Sequence, residues 1–254
     1  PARRLFAQAE GGIKPTDFIA EMNRVYAGYS PAQTQNMMNL VASHDSPRFG
    51  TSFQNKHKYK YRMGARGNKE LKLGPPGADV VREMRMMLLH QFTFTSAPHI
   101  WSGDELGMWG ADDPDCRKPL LWNDVEHRPQ VFTPDGQRHA PIPVKPDREM
   151  FNFHRELIAL RKKRPDWSRG KLQYLLANDA KMTLAYRRDH ENNRSILSFN
   201  FSNTPQSIRL KVGLINGVGV LISSRADVVK NLRAEDSELE FELAPVSGAA
   251  VRLD

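Results

Sequence analysis

The sequence predicts an α/β segment followed by an all-β antiparallel domain. Three observations carry this expectation. Two short apolar runs, each reached through an amphipathic helix, lie in the first half of the chain. Beyond Pro165 the apolar spacing changes from a helical period to a period of two. Asn, Gly and Pro then separate the runs. Alternation of helix and strand signals a parallel sheet covered by helices, whereas period-two runs broken by turn residues signal antiparallel strands.

The first helix is expected over Thr16–Tyr29, where Phe18, Ile19, Met22, Val25, Tyr26 and Tyr29 recur at helical spacing and Thr16 or Asp17 can cap the start. Tyr29-Ser30-Pro31 ends it. Met37–Ala42 is a short apolar run that predicts a buried strand with a polar C-terminal end, because His44-Asp45-Ser46-Pro47-Arg48 follows at once. After Gly74-Pro75-Pro76-Gly77, a long Met-rich stretch from Ala78 to Phe94 places Val80, Met84, Met87, Leu88 and Gln91 on one helix face. Ala97–Trp101 predicts the second strand, ending in Ser102-Gly103-Asp104-Glu105. A last helix covers Met150–Lys163, with Phe153, Leu157, Ile158 and Leu160 inward. Arg161 to Arg164 suit its C-terminal dipole, and Pro165 stops it. Strands then read at 182–186, 195–199, 207–212, 238–243 and 249–253, in a β domain that starts near Lys171.

With 254 residues and 39% hydrophobic content, the chain can bury a sizeable core as one large domain or two small ones. Mean hydropathy of -0.59 and the lack of a run of about 18 apolar residues argue against a membrane span, and no membrane partner is expected. The opening PARRLFAQAEGG has no apolar stretch of a signal peptide and reads as mid-chain sequence, and no feature fixes a compartment. Cys116 stands alone, so neither an internal disulfide nor a cysteine-based metal site is expected. The formal charge of +8 is concentrated in one loop, where Lys56, Lys58, Lys60, Arg62, Arg66, Lys69 and Lys72 face Glu70 alone. Tyr59 and Tyr61 interleave with those lysines in a way that suits nucleic-acid stacking, but solvated loops have the same composition, and no nucleic-acid partner is expected.

The segments Asn39-Leu40-Val41-Ala42-Ser43-His44-Asp45-Ser46-Pro47-Arg48 and Pro98-His99-Ile100-Trp101-Ser102-Gly103-Asp104-Glu105-Leu106-Gly107 resemble, in order and spacing, the last two barrel strands of the α-amylase superfamily. Gly110-Ala111-Asp112-Asp113-Pro114-Asp115-Cys116-Arg117-Lys118-Pro119, followed by Leu121-Trp122, is similar to the neopullulanase and cyclomaltodextrinase branch. The resemblance implies the C-terminal part of a (β/α)8 TIM barrel over residues 1–165, comprising its last two strands and closing helices. An antiparallel β-sandwich domain over 166–254 would follow. It places the site at the C-terminal ends of the strands.

The resemblance also implies roles. Asp45 matches the third catalytic carboxylate, a transition-state stabiliser that binds sugar hydroxyls and helps distort the ring, and His44 matches its hydrogen-bonding neighbour. On residues alone, His44 and Asp45 could equally cap a strand. Asp113 and Arg117 match a segment that contacts sugars one or two units from the cleaved bond; an intraloop ion pair is the plainer reading. Asp104 and Glu105 are adjacent on what reads as an extended segment and so point apart, which does not make an acid/base pair. Trp101, Trp109, Trp122 and Tyr61 offer faces for sugar rings or for packing.

A retaining mechanism needs a nucleophilic Asp and a general-acid Glu, which in this family lie on earlier strands, and no matching segment precedes residue 39. The expected partners are an α-glucan oligosaccharide and the remaining N-terminal part of the same enzyme, or a complementing fragment. Homo-oligomerisation is left open, and no cofactor is expected. A non-catalytic carbohydrate-binding module is the alternative reading.

Overall fold

A computed structural model of the chain describes residues 1–58, 62–66 and 68–254. Tyr59 and Tyr61, named above as stacking candidates, and Lys60 lie outside the described residues.

Chain order begins with α1 (Ala2–Phe6), α2 (Pro15–Tyr26), α3 (Pro31–Asn36), β1 (Met38–Leu40), α4 (Phe49–Gln54), α5 (Ala78–Thr93) and β2 (Ala97–His99). The expected start of the first helix is corrected: Pro15 takes its first position, where a missing N–H costs nothing. The Asp17 carboxylate accepts from the Lys14 amide at 3.3 Å. Thr16 instead turns its hydroxyl to Asp179, at 2.6 Å. The helix also ends at Tyr26, three residues early, and Val25 and Tyr29 are exposed.

β1 and β2 pair in parallel, with Met38 opposite Ala97 and Leu40 opposite His99. α5 forms the crossover between them, and its C-terminal half is buried from Met86 to Thr93. Gln91 on that half pins both strands: its amide donates to Asn39 O at 2.7 Å and to His99 O at 2.9 Å. The expectation of a buried first strand is corrected. Met38 is 66% exposed and Leu40 49%, because among the described residues β1 pairs with β2 alone and its other edge meets no strand.

A hairpin of β3 (Gln130–Phe132) and β4 (Arg138–Ile142) precedes α6 (Arg148–Lys163). Asp147 caps α6 by accepting from Met150 N at 2.9 Å. Met150, Phe153, His154 and Leu157 face inward, while Ile158 and Leu160 are only partly covered. Pro165 ends α6 and opens a further turn of helix, α7 (Pro165–Arg169). Arg161 does more than meet a dipole: its guanidinium donates to Phe92 O, Trp167 O and Ser96 O, satisfying carbonyls at the ends of two helices.

Eight strands follow: β5 (Lys171–Asn178), β6 (Thr183–His190), β7 (Asn193–Asn200), β8 (Gln206–Lys211), β9 (Val218–Ser223), β10 (Val229–Glu235), β11 (Glu238–Leu243) and β12 (Ser247–Leu253). They form a five-stranded sheet in the order β5-β6-β7-β12-β9 and a three-stranded sheet in the order β10-β11-β8. All their pairings are antiparallel. Period-two alternation divides the larger sheet between two cores. Ala185, Ile196, Ala249 and Leu253 pack against Ile208, Leu210, Leu239, Phe241 and Leu243 of the smaller sheet, making a sandwich. Leu184, Tyr186, Leu197, Phe199 and Ala250 point the other way and join Phe6, Phe18, Phe92, Leu157 and Trp167 in the helical core. The five-stranded sheet and the α/β segment therefore share one apolar core, and the three-stranded sheet closes a second on the opposite face.

Candidate functional site

The parallel pair delivers two loops to one place. After β1 the chain turns at Ser43, whose amide donates to Ser46 Oγ at 2.9 Å, and this lifts His44 and Asp45 into solvent, 58% and 69% exposed. After β2 it runs through a tight turn into the loop that carries Asp113 and Arg117. Gly110 anchors this loop beneath the site: its carbonyl accepts from Arg48 N at 3.1 Å and its amide donates to Thr51 Oγ1 at 3.0 Å. A Cβ on Gly110 would lie 2.6 Å from Asp115 O, so this close approach of two backbones requires glycine.

The four residues expected at the site come together. Arg117 Nη2 donates to Asp45 Oδ1 at 3.1 Å, and its Nε donates to His44 O at 3.1 Å and pairs with the Asp113 carboxylate. His44 Nε2 lies 3.2 Å from Asp45 Oδ2. The intraloop Asp113–Arg117 pair is thus real, and the same guanidinium also reaches the loop after β1. Such exposed pairs contribute about 1 kcal/mol or less each, so their content is geometric: they align carboxylates and donors on one open face. A cleft of about 520 Å³ runs beside Asp113, lined by Arg66, Asp112, Pro114, Pro134 and Asp135 among others. Alternating acceptors, donors and proline faces suit sugar hydroxyls and ring C–H groups.

Asp104 and Glu105 sit in a single turn of 3-10 helix, which corrects the extended segment expected there. They still do not act as a pair. Asp104 is buried beside Arg48, and burial pushes its carboxyl up to about 7 against the opposing pull of that guanidinium. Glu105 accepts from Gly103 N at 2.8 Å.

Among the tryptophans, Trp109 is buried and serves packing, Trp122 is exposed, and Trp101 stands between Arg48 and His44 with its ring centroid 6.1 Å from the imidazole. Sequence reasoning did not single out Cys116 as a neighbour of the site. Its buried thiol donates to His44 O at 3.1 Å, and burial pushes it up. Its place in the Asp-Pro-x-x-Arg segment, immediately before Arg117, was the available signal. No three His, Cys, Asp or Glu side chains among the described residues are grouped to hold a metal ion. No helix among them is long and apolar enough to cross a membrane.

The fold recurs in solved structures. The acarbose-soaked Nostoc punctiforme debranching enzyme aligns with 99% of the chain at a TM-score of 0.65 and 18% identity, and a cyclomaltodextrinase aligns with 100% at 0.65 and 20%. The chain covers only 44% and 36% of those structures. In sequence it is 28% identical over 83% of its length to the cyclomaltodextrinase of Geobacillus thermopakistaniensis, and 28% identical over 94% to neopullulanase 2 of Thermoactinomyces vulgaris. The maltogenic alpha-amylase of Bacillus acidopullulyticus matches 81% at 29%. No family profile matches the chain. In fold and in sequence the chain is similar to glycoside hydrolases of the α-amylase family. Within that family its curated relatives are named cyclomaltodextrinase, neopullulanase and maltogenic amylase, and it spans 28%, 33% and 26% of the three just described.

Proposed function

We propose that the chain is the C-terminal portion of a retaining hydrolase of α-glucosidic bonds in maltodextrins, cyclodextrins or pullulan. Residues 1–165 supply the last two strands and closing helices of a (β/α)8 barrel, and residues 166–254 its C-terminal β domain. Asp45 is the transition-state stabiliser, and His44, Asp113 and Arg117 bind substrate. The nucleophile and the general acid belong to the upstream portion, on the same polypeptide or on a complementing fragment. No cofactor is required.

The observation that carries this reading is Arg117 joining Asp45, His44 and Asp113 on one open face at the end of a parallel strand pair. Carboxylates that strengthen their contacts to sugar hydroxyls as the ring flattens act on rate rather than on ground-state affinity. The decisive experiment is Asp45→Asn in the enzyme completed by its N-terminal portion. We expect kcat to fall by about 100-fold or more with an unchanged thermal midpoint, because the side chain is exposed and leaves the fold intact. An unchanged kcat rejects the assignment.

A further inference from the structure

Beneath the open face lies a charge pair that the reading above does not use. Arg48 is 1% exposed and Asp104 3%, their side chains 3.3 Å apart. Burying two charges costs several kcal/mol that their attraction repays only with good geometry, and apolar residues of similar size often do as well or better for stability. Geometry is where this pair is rich. Arg48 Nη1 donates to Ser102 O at 2.7 Å as well as to Asp104, holding the turn after β2. The flat guanidinium lies 5.4 Å from the centroid of the Trp101 ring, whose surroundings include His44. The backbone amide of the same residue holds Gly110 O, the root of the loop that ends in Arg117. Only Ser46 and Pro47 separate Arg48 from Asp45, and Pro47 stiffens that link.

We propose that Arg48, held by Asp104, is a positioning residue that fixes the His44–Asp45 turn against the Gly103 turn and the Gly110–Arg117 loop, and so sets where the Asp45 carboxylate meets a sugar. This rests on the reading of the site as a glucan-binding face. Gly103 leaves room beside the pair: its φ of +99° favours glycine, and a Cβ would run into the Met108 sulfur and lie 2.8 Å from Arg48 Nη1.

The device is pH-dependent. Asp104 loses its charge as pH falls through about 7, and Arg48 then keeps Ser102 O but not its ionic partner. The other charged or titratable groups facing the pair are Glu105 on the same turn, Cys116 and Lys118 on the Gly110–Lys118 loop, and His154, facing Glu105 from α6.

The test is calorimetric titration of the 254-residue chain with maltohexaose at pH 6 and pH 8. Wild type is expected to bind about threefold more tightly at pH 8, and Asp104→Asn to bind equally at both. The double variant Arg48→Met, Asp104→Leu, which removes both charges together, is expected to keep its thermal midpoint within about 3 °C yet lose about fivefold or more in affinity. Wild-type affinity in a folded double variant, or a pH step that survives Asp104→Asn, overturns the proposal and leaves the glucan-binding reading standing. A wild-type chain that binds no maltohexaose at either pH also overturns the proposal, whereas the reading of the site itself is decided by Asp45→Asn in the completed enzyme.

Discussion

The Arg117 guanidinium donates to the Asp45 carboxylate at 3.1 Å across 72 positions of sequence, closing the loop after β2 onto the loop after β1. Arg117 also holds Asp113, so one side chain links the proposed stabilising carboxylate to the proposed remote sugar contact.

Arg117→Ala in the completed enzyme should therefore weaken long maltodextrins more than short ones. Without the guanidinium the remote contact disappears, while Asp45 retains its His44 neighbour. We expect KM for maltohexaose to rise about tenfold and KM for maltotriose by less than about threefold. Equal losses on both substrates, measured by steady-state reducing-sugar release, contradict the assignment.

A second prediction concerns the shared interior. His90 is wholly buried against Phe6, Phe94 and Tyr186, with Nδ1 3.2 Å from the Tyr186 hydroxyl, and burial pushes it down to about 3. The unfolded chain binds a proton there near pH 6.5, so between about 6.5 and 3 the unfolded state holds the extra proton. The stabilising contribution is whole above about 6.5 and is lost as pH falls. Urea unfolding at pH 7 and pH 4.5 should show wild type losing about 2 kcal/mol more than His90→Leu over that interval. Identical losses would place the acid sensitivity elsewhere.

How far the sequence carried these conclusions depends on the kind of signal each element leaves. The α5 stretch was readable because Met84, Met87, Leu88 and Gln91 repeat at helical spacing, and the six-residue run ending at Leu243 because period-two alternation persists from Glu238. β9, β10 and the β3–β4 hairpin were not singled out. Their residues are half-exposed, as in Val229–Glu235, so their pattern is set by cross-strand pairing rather than by burial. At the site, His44, Asp45, Asp113 and Arg117 were legible as motif residues, but their meeting depends on a long-range hydrogen bond that no local pattern encodes. The Arg48–Asp104 pair was invisible for the same reason: charged residues ordinarily read as surface.

Trp167 tests whether the β sheets and the helices are one cooperative unit. Its ring is fully buried in the shared core, and its Nε1 donates to Ser195 Oγ at 3.1 Å on β7. Trp167→Ala should cost about 3–5 kcal/mol and lower a single unfolding transition. Scanning calorimetry that instead resolves two transitions, only one of them displaced, would divide the chain into independently melting parts.

The last prediction concerns the chain as it stands: on starch, pullulan or cyclodextrin it should release no reducing sugar above buffer. Retention requires one carboxyl that attacks the anomeric carbon and a second, about 5 Å away across the bond, that protonates the leaving oxygen. In the role proposed for it Asp45 orients and strains a sugar, and one carboxyl cannot both attack and protonate. The neighbouring carboxyls do not fill the second place. Asp113 is held with Asp45 on the same guanidinium, Glu105 is engaged by Gly103 N, and Asp104, which burial raises, is 3% exposed and faces Arg48. Addition of the N-terminal portion should restore turnover. If the chain, shown by intact mass to be free of any second polypeptide, hydrolyses maltodextrin at a rate that Asp45→Asn abolishes, an acid and nucleophile pair lies within these residues and the division of labour proposed above is wrong.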